Sequence, residues 1–124
     1  VQVETAQTDQ ASDQSPVFVL TSRGVHAKAI ENDGEFVVLE GSTARRDTTR
    51  TLKNNIPLRE RMISEGVFVS SEDERFYRLT ANTAFASPSA AGNVFSAQSI
   101  NGRTAWKLEE SGKSYADWQE ESLN

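Results

Sequence analysis

Residues 85–107 leave the chain almost no slack, and they constrain the fold more than any other stretch. They read Phe85-Ala86-Ser87-Pro88-Ser89-Ala90-Ala91-Gly92, then the apolar pair Val94-Phe95, then Asn101-Gly102-Arg103-Thr104-Ala105-Trp106-Lys107. Ser87 is a helix N-cap residue, and Pro88 suits the first helical position, where a missing N–H costs nothing. Ala90, Ala91, Val94 and Phe95 then share one apolar face, and the two alanines let a helix backbone approach a sheet closely. Asn101-Gly102 reads as a tight turn. Residues 103–108 read as a strand that carries Trp106 into the core and turns Lys107 the other way.

At 124 residues the chain is one domain, long enough to bury a core containing Trp106, Trp118 and six Phe. It has no Cys, which excludes a disulfide framework and thiol chemistry and suits a cytoplasmic protein. No apolar run approaches the ~20 residues of a membrane span, and no signal peptide is visible. Residues 1–15 are Gln, Thr, Ser, Asp and Glu with almost no large apolar side chain, so they are expected to form a disordered linker ahead of a domain over 16–124. The opening Val1 fits a module cut from a longer protein or a chain with a trimmed start.

The net charge of -5 is unevenly spread: residues 1–15 carry -3, residues 108–124 carry -4, and residues 16–107 carry +2. Within that middle, residues 44–61 hold Arg45, Arg46, Arg50, Lys53, Arg59 and Arg61 against Asp47 and Glu60, a local +4. The acidic whole argues against strong nonspecific nucleic-acid binding, while a basic patch can still bind locally.

Taken in order, residues 17–21 are β-branched and aromatic and read as a strand. Arg23-Gly24 turns the chain, and residues 25–30 alternate as a half-buried strand. Asn32-Asp33-Gly34 is a hairpin signal, and the continuous apolar run in 35–40 marks a central strand, giving an antiparallel meander over 17–40. Gly41-Ser42 breaks the sheet, and the basic residues 43–55 have no clear period, which predicts a loop or frayed helix. Pro57 opens a helix with Leu58, Met62 and Ile63 on one face, ending at Gly66. Residues 67–69 and 76–80 form a second hairpin around an acidic turn. Ser114 caps a last short helix, with Asp117 at the capping-box offset and Tyr115 and Trp118 as its apolar contacts. The fold class is therefore α+β, a single domain of antiparallel β-hairpin units with three short packed helices.

Four segments, residues 36–42, Leu58-Arg59 ahead of Gly66-Val67, residues 85–91, and Asn101-Gly102-Arg103 with Trp106-Lys107, occur in this order. Together they resemble the bacterial domain of unknown function 4357 family, a C-terminal module found, for example, behind GIY-YIG nuclease domains. The Ser87-Pro88-Ser89-Ala90-Ala91 and Asn101-Gly102…Trp106 portion is also similar to the domain associated with restriction enzymes and adenine methylases. The likeness spans residues 17–118, with Gly92 standing where a third Ala is common. It implies a non-catalytic accessory module that touches DNA or regulates an attached enzyme, with a nuclease or methylase domain in the same or another chain as partner.

The candidate DNA-binding residues are Arg45, Arg46, Arg50, Lys53 and Lys107, because guanidinium forks suit phosphate oxygens. The plain alternative is a solvated loop and an outer helix face. Ser87, Pro88 and Ser89 can present a helix N-terminus to an anion or simply cap and pack. Asn101 and Gly102 are first a turn, and Trp106 is first a core residue. His26, the only His, has no partnered nucleophile or base in pattern. The contiguous Glu72-Asp73-Glu74 lacks the alternation of a calcium loop. No phosphate loop, zinc signature or nucleophile elbow occurs, so no cofactor, metal or catalytic group is expected. The leading expectation is DNA engagement on behalf of an associated nuclease or restriction-modification enzyme. The alternative is a protein–protein or intramolecular regulatory module without DNA contact.

Overall fold

The computed structural model describes residues 15–122. The linker expected over residues 1–15 therefore lies, except for Ser15, outside the described residues. In chain order the elements are β1 (Phe18–Leu20), a 3-10 turn (Ser22–Gly24), β2 (Ala27–Asn32), β3 (Glu35–Val38), β4 (Thr43–Arg45), α1 (Ile56–Ser64), β5 (Phe68–Ser70), β6 (Phe76–Leu79), β7 (Thr83–Phe85), α2 (Pro88–Ser96), α3 (Gly102–Ala105), β8 (Lys107–Leu108) and α4 (Tyr115–Ser122). The strands make two antiparallel sheets, a five-stranded one in the order β7-β3-β2-β1-β8 and a three-stranded one in the order β4-β6-β5. The α+β class and the single domain stand as expected.

The meander over β1, β2 and β3 follows its sequence signals. Asp33 and Gly34 take positive φ in the turn, and β3 is interior, flanked by β2 and β7. Alternation then sorts the side chains. Phe18, Leu20, Ala27, Ala29, Phe36 and Val38 are buried, while Val19, Lys28, Ile30 and Val37 face outward with intermediate or full exposure.

Three expectations change. Residues 43–45 are not loop or helix but strand β4, because Thr43, Ala44 and Arg45 pair with Arg78, Tyr77 and Phe76 of β6. Residues 103–108 are not one strand: Gly102–Ala105 is a short helix, and only Lys107–Leu108 pairs with β1. Asn101 acts there as an N-cap, its Oδ1 accepting from Arg103 N–H at 3.0 Å, which favours a helical turn over continued extension. The described residues thus hold four α-helices rather than three. Residues 83–85 also form a strand, β7, against β3.

Helix α2 sits between the sheets. Ser87 caps it, accepting from Ala90 N–H at 3.0 Å, and Pro88 lies in its first turn. Pro88 and residues 91–96 are all buried, so the helix is enclosed on nearly every side. Phe95 meets Phe68 of the small sheet edge-on at 5.2 Å and Phe85 of the large sheet at 5.8 Å, joining the two. A second aromatic group, Phe18, Phe36, Trp106, Tyr115 and Trp118, fills the space between the large sheet and α3–α4. The Tyr115 hydroxyl donates to Glu31. Burial, then that hydrogen bond, pushes the Tyr115 pKa up to about 12, so the phenol stays protonated.

The 85–107 stretch closes on itself. Trp106 is fully buried, and its indole N–H donates to the Pro88 carbonyl at 3.0 Å. The Gly102 N–H donates to Ser89 Oγ at 2.9 Å. A Cβ on Gly102 would stand 2.2 Å from the Pro88 carbonyl, a distance no side chain can occupy. Only glycine lets α3 lie this close to the start of α2. At Gly92 the α2 backbone is likewise approached by Ile100 and by the Trp106 indole nitrogen. Gly102→Ala should lower stability by at least about 2 kcal/mol through overpacking against backbone, read as a fall in the urea midpoint at constant m-value.

Candidate nucleic-acid interface

One arginine of the basic segment turns inward. Arg59 lies three residues before Met62 and four before Ile63, so a helix places it on their apolar face. It is 3 % exposed. Its Nη1 donates to the Val94 carbonyl at 2.7 Å, and its Nη2 donates to the Arg45 and Arg46 carbonyls at 2.6 and 2.8 Å. Burial lowers its pKa from the ordinary 12.5, and an arginine so placed stays charged at neutral pH. Val94 belongs to the last turn of α2, whose carbonyls lack helical partners and carry the negative end of the helix dipole. Arg23 does the same work nearby, donating to the Ser96 carbonyl at 2.8 Å and the Asp47 carbonyl at 2.9 Å.

The loop from residue 46 to residue 55 is backed onto that helix end. Thr49 N–H donates to the Ala97 carbonyl at 2.9 Å, Ser99 Oγ donates to the Thr51 carbonyl, and Leu52 is buried. Arg50 and Lys53 are exposed on this anchored backbone. Arg45 is held by Asp47, its Nε 2.7 Å from Oδ1, and Asp47 also meets Arg23 at 2.9 Å. The Arg45 hydrogen bond is the first cause that lowers the Asp47 carboxyl pKa. Arg46 lies over the Tyr77 ring at 4.6 Å. Arg61 is exposed on α1.

The structure therefore gathers Arg45, Arg46, Arg50 and Lys53 at β4 and the loop that follows. It does not bring Lys107 to them. Lys107 is exposed on β8, the edge strand of the other sheet, with its Nζ 3.1 Å from the Thr104 carbonyl. Ser87, Pro88, Ser89, Asn101, Gly102 and Trp106 are engaged in the α2–α3 closure described above.

Two cations outside the basic segment join this region. The β4–β6 pairing sets Arg78 opposite Thr43 and Phe76 opposite Arg45, on the outer face of the small sheet. Arg75, just ahead of β6, is paired to Asp73 through Nε at 3.0 Å and Nη2 at 2.7 Å. The side-chain and backbone hydrogen bonds from Arg75, in that order, push the Asp73 carboxyl down to about 2, and the charge of Arg45 adds to them. A groove of about 350 Å³ runs here, lined by His26, Thr43, Arg45, Asp73, Arg75 and Phe76. Arg78 is legible in the sequence as a strand residue and Arg75 is not, and the nearness of both to Arg45 depends on a three-residue strand without a sequence signal of its own.

A family model for a domain of unknown function, DUF4357, matches residues 18–119. The chain belongs to the DUF4357 family. No curated protein matches it, and no solved structure does. Among the described residues of this DUF4357 domain, no helix is long and apolar enough to cross a membrane, and no group of three or more His, Cys, Asp or Glu could hold a metal ion.

Two outcomes follow from this geometry. Arg59→Met keeps the apolar stem but leaves three carbonyls without their donor; urea unfolding should show a loss of about 2–4 kcal/mol, with Arg59→Lys recovering part of it. The Asp73 carboxyl has its folded pKa below the ordinary 3.8. Its pairing with Arg75 thus favours the folded state above the unfolded pKa and is lost as pH falls through about 2. A carboxyl-carbon NMR titration should place the Asp73 midpoint near 2, returning toward the usual value in Arg75→Gln.

Proposed function

We propose that this DUF4357 domain is a non-catalytic accessory module that helps an associated nuclease or restriction-modification enzyme engage DNA. The carrying observation is the anchored basic loop. Arg50 and Lys53 project from a backbone held by Arg59, by Thr49 and by the Ser99–Thr51 bond. Cations on a rigid support meet phosphates with little ordering cost, and each phosphate neutralised releases counterions. The groove of about 300 Å³ beside Glu109 and Glu110 is unsuited to a polyanion, which supports the small-sheet side as the proposed face for nucleic acid.

A second reading, a protein–protein or intramolecular regulatory module, has its own support. On the face of the large sheet opposite the core, Ile30 pairs with Val37 and Val37 with Ala84, and Val19 and Leu39 lie nearby. None of these side chains is fully buried. A protein partner captured with no DNA shift at low salt would favour this reading.

Fluorescence anisotropy with labelled duplex DNA at ~50 and ~200 mM salt tests the proposal, since phosphate-driven affinity falls steeply between them. The double variant Arg50→Ala, Lys53→Ala should weaken binding and reduce the salt slope by about two units, one for each phosphate that no longer meets a cation. Binding indifferent to both salt and this substitution would sink the proposed surface.

A further inference from the structure

The groove on the outer face of the small sheet holds an arrangement that contact with a phosphodiester backbone does not require. Arg45 comes from β4 and Arg75 from the turn just ahead of β6, yet both guanidiniums approach one ring, with their central carbons 5.4 and 5.5 Å from the Phe76 centroid. The ring itself is 9 % exposed and forms an apolar floor. Each guanidinium is fixed along one edge by a carboxylate. Arg45 uses Nε on Asp47 and Nη1 on the Arg23 carbonyl. Arg75 uses Nε and Nη2 on Asp73. A guanidinium has five N–H donors. Among the described residues, Nη2 of Arg45 and Nη1 of Arg75 donate to nothing.

The charge around the groove is positive. Arg23, Arg45 and Arg75 stand against Asp47 and Asp73. His26 lines the same space at the corner where the sheets meet, its backbone tied to Thr43 by a pair of hydrogen bonds at 2.8 and 3.0 Å. The groove, at about 350 Å³, has room for a small anionic group and part of what it is attached to. Oriented planar forks on an apolar floor suit a tetrahedral oxyanion better than a carboxylate, because its several oxygens can be shared between two donors at an angle.

We infer that this groove binds a phosphate monoester, supplied in the proposed role by the phosphorylated end of a nucleic acid. A monoester carries nearly two negative charges and three terminal oxygens, which matches two guanidiniums that share one ring and line one groove. A diester carries one charge and two free oxygens, so it gains less from the net positive charge of the groove and offers the two guanidiniums fewer acceptors. The source of the monoester rests on the DNA reading above; the groove's phosphate chemistry does not.

The test compares duplexes that differ only in a 5′-phosphate or a 5′-hydroxyl, by anisotropy on the full chain, beside inorganic phosphate followed by NMR shifts at Arg75 and Phe76. The phosphorylated end should bind about five-fold tighter, the scale of one or two exposed charge-assisted contacts. Arg75→Gln should abolish that preference while leaving the part of binding that depends on Arg50 and Lys53. Asp73→Asn keeps an acceptor for the turn and removes a competing charge, so it should enlarge the preference. Equal affinity for both ends, or a preference that survives Arg75→Gln, overturns the inference while the DNA reading stands. If neither duplex binds but inorganic phosphate shifts Arg75 and Phe76, the groove is a phosphate site and the DNA reading falls. No response to any of the three overturns both.

Discussion

The hydrogen bond from the Trp106 indole to the Pro88 carbonyl, with Gly102 pressed against the same residue, is the contact on which the rest of the structure depends. It sets the start of α2 against α3. That position of α3 brings Trp106 edge-on to Phe36 at 4.9 Å and delivers Lys107 and Leu108 to the edge of the large sheet. It also fixes the line of α2, so that Phe95 reaches both sheets and the last α2 carbonyls meet Arg59 and Arg23. The buried indole N–H and carbonyl satisfy one another, which matters because either alone in this core would be costly. The most recognisable residues of the domain are therefore engaged in closing it. In the proposed role, contact with other molecules falls to side chains elsewhere, which sets this stretch apart from the proposed working surface.

Arginines divide into distinct physical roles along one short path. Arg59 is inside and bridges carbonyls from two elements. Arg23 and Arg45 share Asp47 at the rim. Arg46 covers the Tyr77 ring, and Arg50 is exposed. The planar fork explains the residue choice at position 59: donors on two nitrogens reach three carbonyls at once, a geometry that a lysine ammonium on a flexible stem cannot reproduce. A local excess of positive charge thus overstates the number of cations available to a partner.

Much of the fold was legible because local signals agreed with the final packing. The meander needed only alternation and Asn32-Asp33-Gly34, and both Ser87-Pro88 and Ser114 mark helix starts that the structure contains. Strands β4 and β7 were not legible. Each is three residues long, and each exists because a partner strand, β6 or β3, supplies its hydrogen bonds. The helix at Gly102–Ala105 was hidden for a related reason: Asn101-Gly102 serves equally as a turn or as an N-cap, and the close approach to Pro88 decides between them. Arg59 was readable in principle, since its spacing from Met62 and Ile63 puts it on the apolar face, but charge suggested solvent. The candidate surface was half legible. Arg50 and Lys53 follow from composition, whereas the meeting of Arg45 with Arg75 over Phe76 requires a strand pairing between distant parts of the chain.

The partners of Arg59 have a consequence for how the domain responds to its surroundings. They are carbonyl dipoles inside the protein rather than a carboxylate in water. Dipoles do not titrate, and a buried charge–dipole contact is barely reached by mobile ions. The support beneath the basic loop should therefore keep its shape across the ionic strengths over which exposed cations lose their grip on a polyanion. The scaffold and the surface it carries answer to different solvent variables, as a spring balance does when its frame is indifferent to the load.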